Sequence, residues 1–361
     1  MKKIICTVTN DLVFDQRMQR ICTTLAQNNF NVELVGRVSH NSKPLEKLAF
    51  SQKRLNCFFN KGFLFYAEFN IRLFIYLLFA DADIICGCDL DTLPAAVFAA
   101  KLKRKKVVYD AHEYFPESPE LIGRPMKQNV WRLIEKLLVP RVDALYTVTN
   151  SIAQIFNKKY KVDCKLIRNL PFKNNSQISN HTSQILLYQG AVNLGRGLNE
   201  MLLAMLKIDD MPFYIAGDGD EMEQVKHSVK ELNLENKVKL LGKKTPAELK
   251  QITQQAYIGI NLLENRGLSY YYSLGNKTFD YIQAGIPQVM IGFPEYIEVN
   301  KQYKIGVVVE ELTIEKVEQA IKTLIQNKEL YNQLQQNCIK AREELCWENE
   351  GQKLIQIYEQ L

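Results

Sequence analysis

Strand-like and helix-like segments alternate through this chain, stop, and then begin again. Short apolar runs at residues 4–9, 31–35, 83–86, 106–109, 144–148 and 165–167 are separated mostly by helix-period stretches, the first marked by Met18, Ile21, Cys22, Leu25 and Ala26. A second series follows at 184–189, 212–216, 237–241, 258–262, 288–291 and 307–309, and its first helix repeats the spacing with Leu198, Met201, Leu202 and Met205. Three further helical stretches run from about residue 313 to the end, with Trp347 near the start of the last. Uniformly apolar strands joined through helices imply parallel sheets covered on both faces. At 361 residues the chain exceeds the roughly 250–300 at which a single core stops growing. The expectation is therefore two doubly wound α/β domains, Rossmann-like in connection. The polar run Lys173-Asn174-Asn175-Ser176-Gln177 separates them, giving 1–173 and 180–344, with 345–361 crossing back to the first.

Charge divides along the same line. The net charge is +6, yet residues 1–175 carry 27 Lys and Arg against 16 Asp and Glu, while the remainder is acidic. A basic first half favours an anionic partner, such as a phosphorylated lipid or a membrane surface, and no nucleic-acid recognition motif accompanies it. Its densest cluster is Lys101, Lys103, Arg104, Lys105 and Lys106, which equally suits the negative end of a helix dipole. The apolar segment 63–79 falls short of the ~20 residues a spanning helix needs and carries Glu68 and Arg72 at ion-pair spacing. A buried core helix and a helix dipped into a membrane surface both fit it. Eight cysteines without a CxxC pair, and an opening Met1-Lys2-Lys3 that leads straight into a strand, point to a reducing cytoplasm, at or near the inner face of the plasma membrane.

Ligands of such sheets bind beyond the carboxyl ends of the strands, and these positions are polar here. The first half offers Asn10 and Asp11, then Asp89 and Asp91, then Asp110, His112 and Glu113. The second half offers Gly190 to Gly197 with Arg196, then Gly217-Asp218-Gly219, then Gly242-Lys243-Lys244, and then Leu274-Gly275-Asn276-Lys277 before a helix. A glycine-rich turn opening a helix presents free amides to an anion, and Arg196 adds a forked cation. An ordinary turn with a solvated arginine fits the same residues. The strict GxGxxG fingerprint is absent, which removes support for a nicotinamide enzyme. Asp81-Ala-Asp83, Asp89-Leu-Asp91 and Asp218-Gly-Asp220 mimic a metal-binding Asp-x-Asp, but the first and third read as turns, and no metal or cofactor is expected.

The segment from Leu274-Gly275-Asn276-Lys277-Thr278-Phe279-Asp280-Tyr281 to Ala284-Gly285-Ile286-Pro287 resembles the PNKxFEYxxxGxP signature of retaining glycosyltransferases of family 4. Residues 10–17 resemble the opening loop of a bacterial, glycan-building branch of that family, Asp110 to Glu113 its His-bearing loop, and Gly190 to Gly197 its diphosphate loop, all in order along the chain. The resemblance implies the GT-B fold, two Rossmann-like domains facing across a cleft. It implies a hexosyl transfer from a UDP- or GDP-sugar to a glycan or lipid-linked acceptor in cell-surface polysaccharide synthesis, with retention of configuration. The residues it carries over are His112, Arg196 and Lys277 for catalysis. For the nucleotide they are Gly190, Gly217, Gly219, Leu241, Leu274, Gly275, Asn276 and Asp280. On the acceptor side they are Asn10, Asp11, Arg17, Asp89 and Glu113. Two positions depart: Ala191 stands where the family often has arginine, and Tyr272 where it has the first of two glutamates, with Tyr270 to Tyr272 or Glu264 as substitutes. These departures keep open an inactive sugar-nucleotide or glycan-binding module, and the shared fold keeps open a nucleotide-sugar epimerase.

Overall fold

The computed structural model describes residues 1–361 other than Phe14, His40, Asn41, 176–183 and Asp210, so Phe14 of the opening loop and Ser176 and Gln177 of the polar run lie outside the described residues. The chain divides into two compact units, Met1–Asn169 with Glu350–Leu361, and Leu170–Asn349.

The first unit contains β1 (Lys3–Thr7), α1 (Gln16–Gln27), β2 (Asn31–Arg37), β3 (Ser51–Leu55), α2 (Gly62–Phe79), β4 (Ile84–Cys88), α3 (Leu93–Lys103), β5 (Lys106–Ala111), α4 (Pro125–Leu138), β6 (Ala144–Thr147), α5 (Asn150–Tyr160) and β7 (Cys164–Leu166). Its seven strands lie in the order β3-β2-β1-β4-β5-β6-β7, every pair parallel. The order reverses direction beside β1, which is where a doubly wound sheet opens to ligand. Right-handed crossovers place α1 on one face and α2 to α5 together on the other. Local chemistry starts the helices: Asp15 caps α1 by accepting from the Met18 amide at 3.0 Å, and Thr149 caps α5.

The second unit contains β8 (Leu186–Gln189), α6 (Leu198–Met205), β9 (Phe213–Ala216), α7 (Met222–Glu231), β10 (Val238–Leu240), α8 (Pro246–Gln255), β11 (Ile258–Asn261), α9 (Leu268–Tyr271), α10 (Asn276–Ala284), β12 (Gln288–Ile291), α11 (Pro294–Tyr303), β13 (Gly306–Val309), α12 (Ile314–Gln326) and α13 (Lys328–Glu344). Its six parallel strands run β10-β9-β8-β11-β12-β13. The last helix, α14 (Trp347–Glu359), begins in this unit, where the Trp347 amide donates to the Pro171 carbonyl, and ends in the first, where Tyr358 is buried beside Tyr146.

Each unit is thus a Rossmann-like parallel sheet clothed by helices. Twelve strands lie where the apolar runs put them. The thirteenth, β3, is the polar edge strand Ser51-Gln52-Lys53-Arg54-Leu55, and an edge strand exposed on one side carries no uniform apolar run to announce it. The 63–79 segment forms α2, and only one side of it enters the core. Phe65, Phe69, Leu73 and Leu77 are buried, whereas Ile71, Ile75 and Phe79 face outward.

The two faces of α2 should respond differently to truncation. Leu73→Ala leaves a cavity in a closed core and is expected to cost about 2–5 kcal/mol, while Ile75→Ala should stay within about 0.5 kcal/mol, both read by urea unfolding. Equal costs at the two positions would contradict this reading of the helix.

Candidate functional site

In the first unit the polar residues gather at the carboxyl edges of β4 and β5. Strand alternation puts Asp110 and the residue two further on, His112, on one side of the chain. The His112 Nε2 lies 3.1 Å from Asp110 Oδ2, its Nδ1 lies 3.5 Å from Asp89 Oδ2, and its amide donates to Asp89 Oδ1 at 2.9 Å. With a carboxylate at each ring nitrogen, both nitrogens act as donors, which is the imidazolium form. Burial alone would lower the His112 pKa, but the charges of Asp110 and Asp89 outweigh it and raise the group to about 9. Asp110 is held down, to about 2, against its own burial by Arg17 and His112. Asp91, beside Asp89 and accepting from the Thr9 hydroxyl at 2.6 Å, is pushed by burial and then by the Asp89 charge up to about 7.

Arg17 and Asp11 are corrected by this geometry. Arg17 is buried, and its guanidinium donates to Asp110 Oδ1 at 2.9 Å and to the Ile167 carbonyl, so it holds the carboxylate behind His112 and has no face toward an acceptor. Asp11 is likewise buried, taken up by Arg54 at 2.5 Å and by Ser42. Of the other acceptor-side residues, Asn10 is exposed with its side chain toward Asp15, Asp89 belongs to the His112 cluster, and Glu113 is half-buried beside it.

In the second unit the loops after β8 and β9 interlock. A Cβ on Gly217 would lie 1.8 Å from the Gly190 carbonyl oxygen, so only glycine permits this approach, and Gly197 takes a left-handed φ of 65° as it opens α6. Together with Gly219, Asp218 and Lys244 these loops wall a cleft of about 470 Å³. Lys243 and Lys244, which the sequence places with Gly242 at the carboxyl end of a strand, line the same cleft. Leu241 stands outside the lining, its amide continuing the β9–β10 ladder to the Ile215 carbonyl.

Beside this cleft two basic residues lie over aromatic rings, Lys277 over Tyr188 and Arg196 over Tyr270. Lys277, one residue inside the start of α10, is 8% exposed, its Nζ lies 3.8 Å from the Tyr188 ring centroid, and it has no hydrogen-bond partner among the described residues. Burial, reinforced by the Arg196 charge, holds its pKa well below the usual lysine value. Arg196 sits 4.8 Å over the Tyr270 ring, and its Nε is buried without a partner. The start of α10 has no side-chain cap, since Gly275 occupies that place with its amide donating to the Tyr296 hydroxyl. The Lys277 Nζ and the Arg196 Nε, both buried without a partner among the described residues, and an uncapped helix start give this place the chemistry of an anion site. Leu274 turns its side chain into the core and offers backbone alone, and Asn276 is exposed at the helix start. Asp280 is aimed by Gln189, whose Nε2 donates to Oδ2 at 2.8 Å while Thr253 fixes the other end of the amide. Glu264 is paired with Arg266, and Tyr272 closes the short α9 with its ring against Tyr271. Among the described residues no group of three or more His, Cys, Asp or Glu side chains has the spacing to hold a metal ion.

Comparison with known proteins agrees with this division. Residues 16–171 match the family model described as Glycosyltransferase Family 4, and residues 171–341 match that described as Glycosyl transferases group 1. The chain belongs to the GT-B glycosyltransferases. Among solved structures it is similar to sucrose-phosphate synthase from Thermosynechococcus elongatus, at 16% identity and a TM-score of 0.80 over 100% of this chain and 99% of that one. It is similar to Anabaena HepE in complex with UDP-glucose, at 13% identity and a TM-score of 0.80 over 100% of both. WaaG, a glycosyltransferase involved in lipopolysaccharide biosynthesis, aligns at 15% identity and a TM-score of 0.70 over 96% of this chain and 98% of WaaG. No curated protein sequence matches the chain.

The His112 cluster has a readable titration. Because its folded pKa is raised, its contribution to stability is complete below pH 6.5 and is lost as the pH rises toward about 9. The His112 ring resonance in NMR should therefore show a midpoint near 9. Asp110→Asn should bring that midpoint down. A wild-type midpoint at 6.5 would mean that the carboxylates do not govern the ring.

Proposed function

We propose that this glycosyltransferase transfers a hexose from a UDP- or GDP-sugar to a glycan or lipid-linked acceptor, with retention of configuration, in the building of a cell-surface polysaccharide. The single observation that carries the donor assignment is the pair of unsatisfied cations, Arg196 and Lys277, at the uncapped start of α10. The donor diphosphate supplies the missing negative charge, and both cations stabilise it as it departs, when that charge is greatest. Asp280, already oriented by Gln189, accepts from the ribose hydroxyls, and the cleft walled by Gly190, Gly217 and Gly219 takes the rest of the nucleoside. His112 supplies an imidazolium to the donor sugar. A cation there donates hydrogen bonds and is no base at neutral pH, so the acceptor hydroxyl gives up its proton elsewhere, and same-face attack directs it to the departing phosphate oxygen. Retention by that route needs no covalent nucleophile, and the cations on the protein make a divalent metal unnecessary for charge neutralisation. HepE, crystallised with UDP-glucose, and WaaG, from lipopolysaccharide biosynthesis, support the donor and product classes by their likeness in fold.

A second reading, sugar-nucleotide binding without turnover, draws on Tyr272 at the place of a family glutamate; epimerisation draws on the fold alone. Incubation with labelled donors and acceptors separates the three by product. For the donor site, UDP or GDP should raise the melting temperature of the wild type. Arg196→Ala and Lys277→Ala should each weaken the nucleotide by roughly ten- to a hundredfold, the worth of a charged hydrogen bond of about 1.5–3 kcal/mol. Transfer should persist in chelator. If no nucleoside diphosphate stabilises the wild type, the donor assignment is wrong.

A further inference from the structure

Helices that clothe a sheet normally turn their apolar stripe inward and their charges out. On α4 apolar residues also face solvent. Met126, Val130, Leu133 and Leu137 recur at i, i+4, i+7 and i+11 and are exposed, Met126 by 85%. Its inner side is filled instead by Trp131, stacked edge-on to Phe115 and Tyr66, and by the fully buried Glu135, paired with Lys159. The neighbouring helices, apolar on their buried side, carry apolar residues outside as well. Ile71, Ile75 and Phe79 follow one another by four residues along the outside of α2, and Phe98 and Leu102 do so on α3. Because α2, α3 and α4 share one face of the first sheet and α3 contacts both others, these stripes belong to one helical layer. Scattered surface apolar residues need no explanation, but an ordered layer of them does.

Charge identifies what covers it. The three helices contain only two acidic residues, Glu68 and Glu135, and neither faces out: Glu68 is bound by the Phe58 and Phe59 amides and Arg72, and Glu135 is buried. Cations rim the layer instead. The side chains of Arg104, Arg124, Lys127 and Lys136 make no ion pair or hydrogen bond among the described residues, and Lys103 spends its charge on the carbonyls of Leu77 and Ala80 at the end of α2. Among the described residues only α2 is long and apolar enough to cross a membrane, and it is fixed to the sheet by its buried side, so the layer can lie on a bilayer but not traverse it.

We propose that the outer layer formed by α2, α3 and α4 is a docking face for an anionic phospholipid surface, its apolar stripes entering the headgroup boundary and its lysines and arginines meeting the lipid phosphates. The amino-terminal part of α2 ties this face to the candidate site: Asn70 donates to the Asp91 carbonyl at 2.7 Å and accepts from the Ala95 amide, so the docked helix braces the carboxyl edge where Asp89, Asp91 and His112 gather. A membrane-borne acceptor would then be met at the edge that carries the His112 cluster.

Flotation of the full chain with vesicles tests this independently of donor chemistry. The wild type should bind vesicles of phosphatidylcholine and phosphatidylglycerol in a two-to-one ratio, bind phosphatidylcholine alone far less, and be released by salt. The double variant Lys127→Gln/Lys136→Gln should lose on the order of thirtyfold in partitioning, as two surface cations at about 1 kcal/mol each require. Leu133→Asn/Leu137→Asn should lose binding as well. Both pairs are exposed, and neither touches the donor site, so nucleotide-induced thermal stabilisation should remain as in the wild type. Equal binding to the two kinds of vesicle, undiminished binding by both double variants, or a dimer in sedimentation that the same substitutions dissociate would overturn the proposal, the last in favour of a second copy as the occupant.

Discussion

A lysine ammonium nine-tenths buried with no counter-ion is expensive, and the second unit is organised around one. Lys277 is brought there by helix α10, whose start must remain open, and Gly275 leaves it open by contributing no capping side chain. Burial and the second positive charge of Arg196 make the ammonium less stable, and the Tyr188 face beneath it offsets only part of that. A protein retains such an arrangement when a ligand of opposite charge completes it. Under the proposed donor assignment the interlocked glycine loops and the oriented Asp280 form the remainder of the nucleotide site.

The first unit solves the opposite problem. Its cluster begins with carboxylates, Asp89, Asp91 and Asp110, gathered at one sheet edge where they would repel. Arg17 and His112 neutralise them in sequence: the buried Arg17–Asp110 pair fixes one carboxylate, which with Asp89 fixes the imidazolium. Removing either charge of a buried pair strands the other, which accounts for an arginine spent wholly on structure.

Much of this was legible in the residues themselves. The uniformly apolar strands announced both sheets, and the polar residues after them are the ones that gather at the carboxyl edges of the strands. The amphipathic spacing of 18–26 and 198–205 announced the first helix of each half. What escaped is equally physical. Strand β3 is polar because it lies at an edge. The role of Arg17 depends on Asp110 and Ile167, far away in sequence, so no local pattern could separate a buried tie from a ligand contact. The outward stripe of α4 has the same period as an inward one, and periodicity does not say which side of a helix meets the sheet.

The claim that a donor diphosphate completes the Lys277 site can be tested by proton linkage. Burial and the Arg196 charge hold the Lys277 pKa below the usual lysine value, and a bound diphosphate raises it, so binding takes up protons wherever the pH lies between the two. Calorimetry of UDP or GDP binding at mildly alkaline pH, in buffers of different ionisation enthalpy, should then show net proton uptake that is absent in Lys277→Met. Binding with no proton uptake, or uptake that persists in Lys277→Met, would contradict the account.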